Sequence, residues 1–139
     1  MSTRFLSHFF KPRSIVVVGA SEKPHSMGGL VLRNLREGGF GGEVWALNPK
    51  GYDQVFGVPC VSRVSRLPHV PDLAVICSPV ETVPALIDRL GRFGVRAALV
   101  LSGGAHLDEV RGETESIRSR MLSAARTSGI RVLGPSAWG

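Results

Sequence analysis

The stretch IVVVGAS, from Ile15 to Ser21, decides the fold of this chain. Its run of β-branched residues favours a strand that is buried on both faces, as strands of parallel sheets are. The small residues after that run let the backbone approach a phosphate group at the start of the next helix. The sequence therefore predicts a core strand, Ser14 to Val18, that ends in an anion-binding turn.

A second strand is predicted at Glu43 to Leu47, and it ends in the run Asn48-Pro49-Lys50. NAD-binding folds place an acid near this position, where it holds a ribose hydroxyl. Their fingerprint G-x-G-x-x-G is also missing, because the next glycine after Gly19 is Gly28. A lysine at this place instead favours a nucleotide with an extra ribose phosphate, either NADP or coenzyme A.

The rest of the chain alternates predicted helices and strands. Helices are predicted at about residues 28–37, 81–93 and 108–127, and further strands at 72–77, 95–101 and 130–133. Residues 51–71 are predicted to be irregular, with a short edge piece at Val55 to Pro59, because proline cannot donate to a strand ladder. Apolar strands that alternate with amphipathic helices predict an α/β fold, a single-domain Rossmann-like doubly wound parallel sheet.

In such a sheet, ligands bind beyond the carboxyl ends of the strands. We expect the loops at these ends to converge on one crevice: Gly19-Ala20-Ser21, Asn48-Pro49-Lys50, Ser78-Pro79 and Ser102-Gly103-Gly104. In the first loop, Ser21 and Ser26 add hydroxyl donors beside free backbone N–H groups. The last two loops suit a slim chain such as pantetheine at least as well as a nicotinamide ring.

Composition narrows the classes of function. The net charge is +6, but the basic residues are dispersed and only 6% of residues are aromatic, which argues against a nucleic-acid interface. No apolar run reaches the ~20 residues of a membrane span, and no signal peptide is visible, so we expect a cytoplasmic protein. No spacing matches a metal site, a Ser-His-Asp triad or a carboxylate pair. We therefore expect a binding site without catalytic residues of its own.

Several motifs occur in the order typical of one family. They are FKPRSIVVVGAS at residues 10–21, Gly28-Gly29 with Asn34-Leu35, Asn48-Pro49-Lys50, DLAVI at 72–76, Pro79 with ETVP at 81–84, and Gly134-Pro135. The chain resembles, along nearly its whole length, the CoA-binding domain of the NDP-forming acyl-CoA synthetases. That domain is shared with the succinyl-CoA synthetase alpha subunit, and a similar one is fused to GNAT modules in bacterial protein lysine acetyltransferases.

The resemblance implies roles for the residues of the crevice. The Gly19-Ala20-Ser21 loop would hold the phosphates of coenzyme A, and Lys50 would face its adenosine end. Ser78, Pro79 and Val80 would line the path of the pantetheine, with residues 102–104 near the thiol. Because Gly19 would lie against the ligand, we expect Gly19→Val to block binding while leaving the fold intact. The phosphorylated histidine of the family belongs to a following domain, so no histidine of this chain inherits that role.

Two departures from the family pattern fall near the expected thiol end. Gly134-Pro135 continues as Ser-Ala-Trp instead of with an asparagine, and Ser102-Gly103-Gly104-Ala105 replaces the more usual Ser-Ala-Gly-Phe. We expect residues 1–139 to be a CoA-binding domain from the amino-terminal part of a longer multidomain synthetase or acetyltransferase. It would bind coenzyme A or an acyl-CoA for chemistry done by further domains or subunits. The alternatives are an NADP-binding oxidoreductase domain and a regulatory module that has lost its ligand.

Overall fold

The valine-rich stretch forms β1 (Ser14–Val18), which lies in the middle of a seven-stranded sheet. The structure is a computed structural model and describes residues 6–102 and 116–134. The other strands are β2 (Glu43–Leu47), β3 (Gln54–Val55), β4 (Val58–Val61), β5 (Leu73–Ile76), β6 (Ala97–Val100) and β7 (Arg131–Leu133). Their order is β3-β4-β2-β1-β5-β6-β7, and every pair except β3 with β4 is parallel. The expected Rossmann-like doubly wound sheet is confirmed.

Helices cover both faces of this sheet. They are α1 (Leu6–Phe10), α2 (Met27–Glu37), α3 (Val83–Phe93) and α4 (Ile117–Ser128). On one face, Val16 and Val18 join a core that includes buried side chains of α3 and α4. On the other face, Ile15 and Val17 join a core that includes Leu32 of α2. Each such aliphatic side chain stabilises the fold by roughly 1.5–3 kcal/mol when it is fully buried, so β1 anchors both cores.

The helices begin and end at residues that favour helix termini. Ser26 caps α2, because its hydroxyl oxygen accepts a hydrogen bond from the Gly29 N–H at 3.0 Å. Pro84 lies in the first turn of α3, where its missing N–H has no partner to lose. Gly94 and Gly129 end α3 and α4 in left-handed conformations, which glycine adopts without a steric penalty.

One element was not predicted, and two predictions about other elements need correction or qualification. The short helix α1 was not predicted from the sequence. Residues 54–61 form the hairpin of β3 and β4. Val55 lies in the edge strand β3, as predicted, but the edge prediction is wrong for Val58 and Pro59, which lie in β4 between β3 and β2. Pro59 is tolerated in β4 because the parallel ladder to β2 begins only at the next residue, Cys60. The helix predicted from residue 108 has its first part outside the described residues.

Arg96 joins the carboxyl ends of two helices. Its guanidinium donates to the Ser128 carbonyl of α4 at 3.0 Å and to the Gly91 carbonyl of α3 at 3.2 Å. A cation at a helix carboxyl end also complements the helix dipole. We therefore expect Arg96→Ala to lower the free energy of unfolding by about 1.5–3 kcal/mol.

Urea unfolding followed by circular dichroism measures this effect. The matched control is Arg126→Ala, which removes an exposed arginine from the last turn of α4. We expect that control to change the free energy of unfolding by less than about 0.5 kcal/mol. Equal losses in the two variants would contradict the role assigned to Arg96.

Candidate functional site

A crevice opens at the carboxyl edge of the sheet, where the loops after β1, β2, β4 and β5 meet one side of α3. The edge is a topological switch point, because the chain passes from β1 to β2 on one side and continues in β5 on the other. The volume of the crevice is about 1090 Å³. Of the residues that the sequence predicted for the site, these line it: Gly19, Asn48, Pro49, Lys50, Ser78 and Pro79.

Gly19 makes the turn at the centre of the crevice. Its φ is +87°, and its N–H donates to the Leu47 carbonyl at 2.8 Å. A Cβ at this position would lie 2.7 Å from the backbone nitrogen of Ser78. The backbones of the loops after β1 and β5 are therefore in close contact, because residue 19 has no side chain to separate them. The expectation that Gly19→Val would leave the fold intact is therefore wrong, because valine would meet both an unfavourable φ and rigid backbone.

The rest of the glycine loop lies behind the crevice and builds the turn. Ala20 is fully buried, and a Cβ on Gly28 would lie 2.7 Å from its Cα, so the start of α2 packs directly on the turn. Ser21 is buried and accepts a hydrogen bond from the Lys23 N–H at 3.4 Å. The hydroxyl oxygens of Ser21 and Ser26 therefore accept hydrogen bonds from nearby backbone N–H groups, and neither side chain lines the crevice.

Asn48 ties the loop after β2 to its neighbours. Its side-chain amide donates to the Ala20 carbonyl at 2.9 Å, and its side-chain oxygen accepts from the Lys50 N–H at 3.0 Å. Its own backbone N–H donates to the Val61 carbonyl at the end of β4 at 3.0 Å. Asn48 is buried, whereas Lys50 extends into solvent at the wall of the crevice.

Ser102 gives the same kind of support to the loop after β5. Its side chain is buried, and its hydroxyl donates to the Ser78 carbonyl. Pro79 precedes a short 3-10 helix, Val80–Thr82, that turns the Val80 side chain into the hydrophobic core and away from the crevice. Gly103 and Gly104, which were predicted for the thiol end, lie outside the described residues.

Two further segments line the crevice, although neither was predicted for the site from the sequence. The loop after β4 contributes Ser62 and Arg63, and α3 contributes Arg89 and Arg92 along one side. The signal for Arg63 was present in principle, because residues after a parallel strand emerge at the same sheet edge. It was missed because residues 51–71 were predicted to be irregular. The arginines of α3 follow Thr82 and Leu86 at helical spacing.

The electrostatics of the crevice favour an anion. Its walls carry the charges of Lys50, Arg63, Arg89 and Arg92, and no aspartate or glutamate of the described residues lines it. Arg92 is paired with Asp88, with both contacts at 3.0 Å, while Arg63 and Arg89 have no ion-pair partner in the part of the chain described. A side-chain hydrogen bond with Lys23, followed by the repulsion between the two like charges, lowers the pKa of Lys50.

Cys77 also lines the crevice, at the end of β5. Burial raises the pKa of its thiol to about 11. The thiolate, which is the reactive form, is therefore rare at neutral pH, and Cys77 provides an apolar wall instead of a nucleophile.

Within residues 6–102 and 116–134, no group of three His, Cys, Asp or Glu side chains could hold a metal ion. No helix formed by these residues is long and apolar enough to cross a membrane.

Comparison with known proteins adds to this geometry. Residues 13–139 match a family model described as a CoA binding domain. The chain is 33% identical over 134 residues to ADP-forming acetate–CoA ligase I of Archaeoglobus fulgidus, in a match covering 96% of this chain and 19% of that protein. It is 32% identical over 137 residues to the alpha subunit of ADP-forming acetate–CoA ligase I of Pyrococcus furiosus, covering 96% of this chain and 29% of that subunit.

A solved structure has the same fold. Dinucleotide-forming acetyl-coenzyme A synthetase 1 of Candidatus Korarchaeum cryptofilum, in complex with phosphate and ADP, superposes with a TM-score of 0.82 at 37% identity. The superposition covers 94% of this chain and 27% of that one. The chain thus spans less than a third of the length of each of these proteins.

The contact between Gly19 and Ser78 gives a prediction for stability. Gly19→Ala would place a methyl group 2.7 Å from backbone, at a φ of +87°. We expect it to lower the free energy of unfolding by more than about 2 kcal/mol, measured by urea unfolding. Gly39→Ala is the matched control, because Gly39 has a φ of +77° and nothing within 4 Å of the added Cβ. We expect about 1 kcal/mol for that backbone strain alone, and equal losses would show that the contact does not constrain the turn.

The raised pKa of Cys77 gives a second prediction. With a folded pKa of about 11 instead of 9.0, the thiolate fraction at pH 8 falls by about 100-fold. In a Cys60→Ser background, we expect iodoacetamide to modify Cys77 at least about 100-fold more slowly in the folded protein than in urea. Mass spectrometry measures the rate of modification. The rate should then rise about tenfold per pH unit up to the pKa. Similar rates in the folded and unfolded chains would mean that the thiol is not buried against the crevice.

Proposed function

Because this chain belongs to the CoA-binding domain family, we propose that it holds coenzyme A for an ADP-forming acyl-CoA synthetase whose remaining steps take place on further domains or subunits. The family membership rests on a match that covers residues 13–139. The proposal of a synthetase rests on the relatives, whose names describe ADP-forming acetate–CoA ligases. Those proteins are several times longer than this chain, which is consistent with a division of labour between domains.

The observation that carries the proposal is the basic crevice at the switch point of the sheet. Coenzyme A is a long anion with a diphosphate and a ribose 3′-phosphate, so it requires cations without competing carboxylates. Lys50, Arg63 and Arg89 supply the cations on the described part of the wall, and no acid lines it. The close approach at Gly19 leaves a narrow backbone wall, which suits a slim chain. The residues present therefore fit this ligand.

The residues of the crevice divide between the two ends of the ligand. Lys50 and Arg63, on the loops after β2 and β4, would hold the adenosine end with its phosphate. The turn at Gly19 and the loop Ser78-Pro79 would border the diphosphate and the pantetheine, and Ser102 keeps that loop in place. When bound, coenzyme A supplies the thiol that carries an acyl group.

The chain itself would contribute binding and orientation. The described wall of the crevice contains no histidine and no carboxylate that could move a proton, and the pKa of Cys77 is too high for a nucleophile at neutral pH. The proposed role is to present the thiol of coenzyme A to chemistry on another domain. An acetyltransferase as the parent protein would use the same binding site, but the ligase relatives favour the synthetase.

The two remaining alternatives give different ligand profiles. An NADP-binding oxidoreductase domain would use the same cations for a 2′-phosphate, but the chain lacks the G-x-G-x-x-G turn. A regulatory module that has lost its ligand would bind neither nucleotide. Calorimetric titration with coenzyme A, acetyl-CoA, dephospho-CoA, NADP and NAD at one fixed salt concentration distinguishes these cases. We expect saturable binding of coenzyme A, and a signal for NADP alone would contradict the proposal.

Lys50 provides a test within the site. We expect Lys50→Ala to weaken coenzyme A binding roughly tenfold, since it removes a charge-assisted contact to phosphate. Binding of dephospho-CoA, which lacks the 3′-phosphate, should change much less. Lys11→Ala is the control, because Lys11 is exposed and precedes β1 at the opposite edge of the sheet. Equal losses for both ligands would show that Lys50 does not recognise the 3′-phosphate.

A further inference from the structure

We propose that Thr82 is a positioning residue that fixes the hydroxyl of Ser78 as a hydrogen-bond acceptor facing the crevice. This wall then takes a neutral ligand segment with an N–H donor, namely a secondary amide of the pantetheine arm, and disfavours an ionised diphosphate. The inference rests on the proposed function and deepens it, because it assigns one wall of the crevice to one chemical class of ligand group.

Two hydroxyl groups lie side by side on this wall. Ser78 and Thr82 both line the crevice, and their hydroxyl oxygens lie 2.9 Å apart. The Thr82 hydroxyl oxygen also lies 2.6 Å from the carbonyl oxygen of Pro79. Because a carbonyl oxygen only accepts hydrogen bonds, the single proton of the Thr82 hydroxyl goes to Pro79. The Ser78 hydroxyl then donates its own proton to Thr82.

The hydroxyl of Ser78 therefore has no proton left for a ligand. Its remaining lone pair is an acceptor, and an acceptor pairs with a donor such as an amide N–H. An ionised diphosphate has only acceptor oxygens, so it would face the Ser78 hydroxyl without a hydrogen bond between them. The carbonyl of Ser78 is occupied as well, because it accepts from the hydroxyl of the buried Ser102. The loop is thus held with its acceptor toward the crevice.

The amino end of α3, next to these hydroxyls, does not offer the N–H groups with which a helix end usually binds an anion. The Thr82 N–H donates to the Pro79 carbonyl at 2.9 Å, and the Val83 N–H donates to the Val80 carbonyl. Pro84 has no N–H to donate. The short 3-10 helix before α3 thus uses the donors of this end, and the wall presents acceptors where a phosphate site would present donors.

The cations of the crevice stand apart from this wall. Ala85 is the next lining residue of α3 after Thr82, and Arg89 lies seven residues after Thr82, which is about 10 Å further along the helix. Lys50 and Arg63 belong to the loops after β2 and β4. The pantetheine arm of coenzyme A is neutral and has two secondary amides, each with one N–H donor. Its chemistry therefore matches an uncharged wall with a fixed acceptor.

Calorimetric titration of variants tests this assignment. Ser78→Ala removes the acceptor, and we expect it to weaken coenzyme A binding roughly five- to tenfold. Thr82→Val keeps the shape of the side chain but frees the Ser78 hydroxyl to rotate its proton into the crevice, so we expect a loss of roughly threefold. Thr82→Ser keeps the hydroxyl and should restore the original affinity. Thr82 is exposed, so we expect these variants to fold, which urea unfolding checks.

A ligand fragment and a double variant show where the two residues act. The fragment 3′-phosphoadenosine 5′-diphosphate lacks only the pantetheine of coenzyme A, so its affinity should change less than about twofold in every variant. In a Ser78→Ala background, adding Thr82→Val should cause no further loss of coenzyme A binding, because Thr82 acts through Ser78.

Thr127→Val is the matched control. The Thr127 hydroxyl also donates to a carbonyl oxygen, that of Ser123 in α4 at 2.8 Å, but Thr127 does not line the crevice. We expect this variant to bind coenzyme A with the affinity of the original chain. A loss equal to that of Thr82→Val would show that the effect has no relation to the crevice and would overturn the inference.

The other outcomes separate this inference from the proposed function. If the original chain binds coenzyme A but Thr82→Val does not weaken binding, or weakens it equally in the Ser78→Ala background, the role of Thr82 is wrong and the function stands. If Ser78→Ala weakens the fragment as much as coenzyme A, Ser78 contacts the adenosine or a phosphate and the inference is again wrong. If the original chain binds neither ligand, the proposed function fails together with the inference.

Discussion

The close approach of two loops at Gly19 is the constraint on which the site depends. A left-handed glycine lets the chain leave β1 directly against the backbone of Ser78, with no room for a side chain between them. The buried Asn48 and Ser102 then fasten the neighbouring loops to this contact through hydrogen bonds to backbone carbonyls. Polar side chains that would otherwise cost free energy in the interior are thus satisfied, and they fix the shape of the crevice.

Charge is distributed on this framework in a way that suits a binding role. Apart from Asn48, the buried residues that line the crevice are apolar, while the cations stand at its rim on the loops after β2 and β4 and along α3. A long ligand with an anionic end and a neutral arm matches this separation. In our proposal, the crevice holds the ligand on a rigid sheet edge, and the reaction itself belongs to other domains.

The sequence predicted most of the fold because its core strands are apolar on both faces. The bounds of β1 and β2 were predicted as the structure has them, and the predicted ends of α3 and α4 lie within one residue of the observed ones. Predictions failed where contacts between distant segments decide the outcome. Pro59 suggested an edge strand, yet the late start of the ladder to β2 allows β4 inside the sheet. Arg63 joins the site only through the folding of the loop after β4, which local sequence does not specify.

The central claim is that the loops at the carboxyl edge of the sheet form one site for coenzyme A. Hydrogen exchange of backbone amides, followed by mass spectrometry with and without saturating coenzyme A, tests it most directly. The account predicts slower exchange in the loops that follow β1, β2, β4 and β5, and unchanged exchange in the turn between α2 and β2 at the opposite edge. Protection confined to other segments, or no protection by a ligand that is shown to bind, would contradict it.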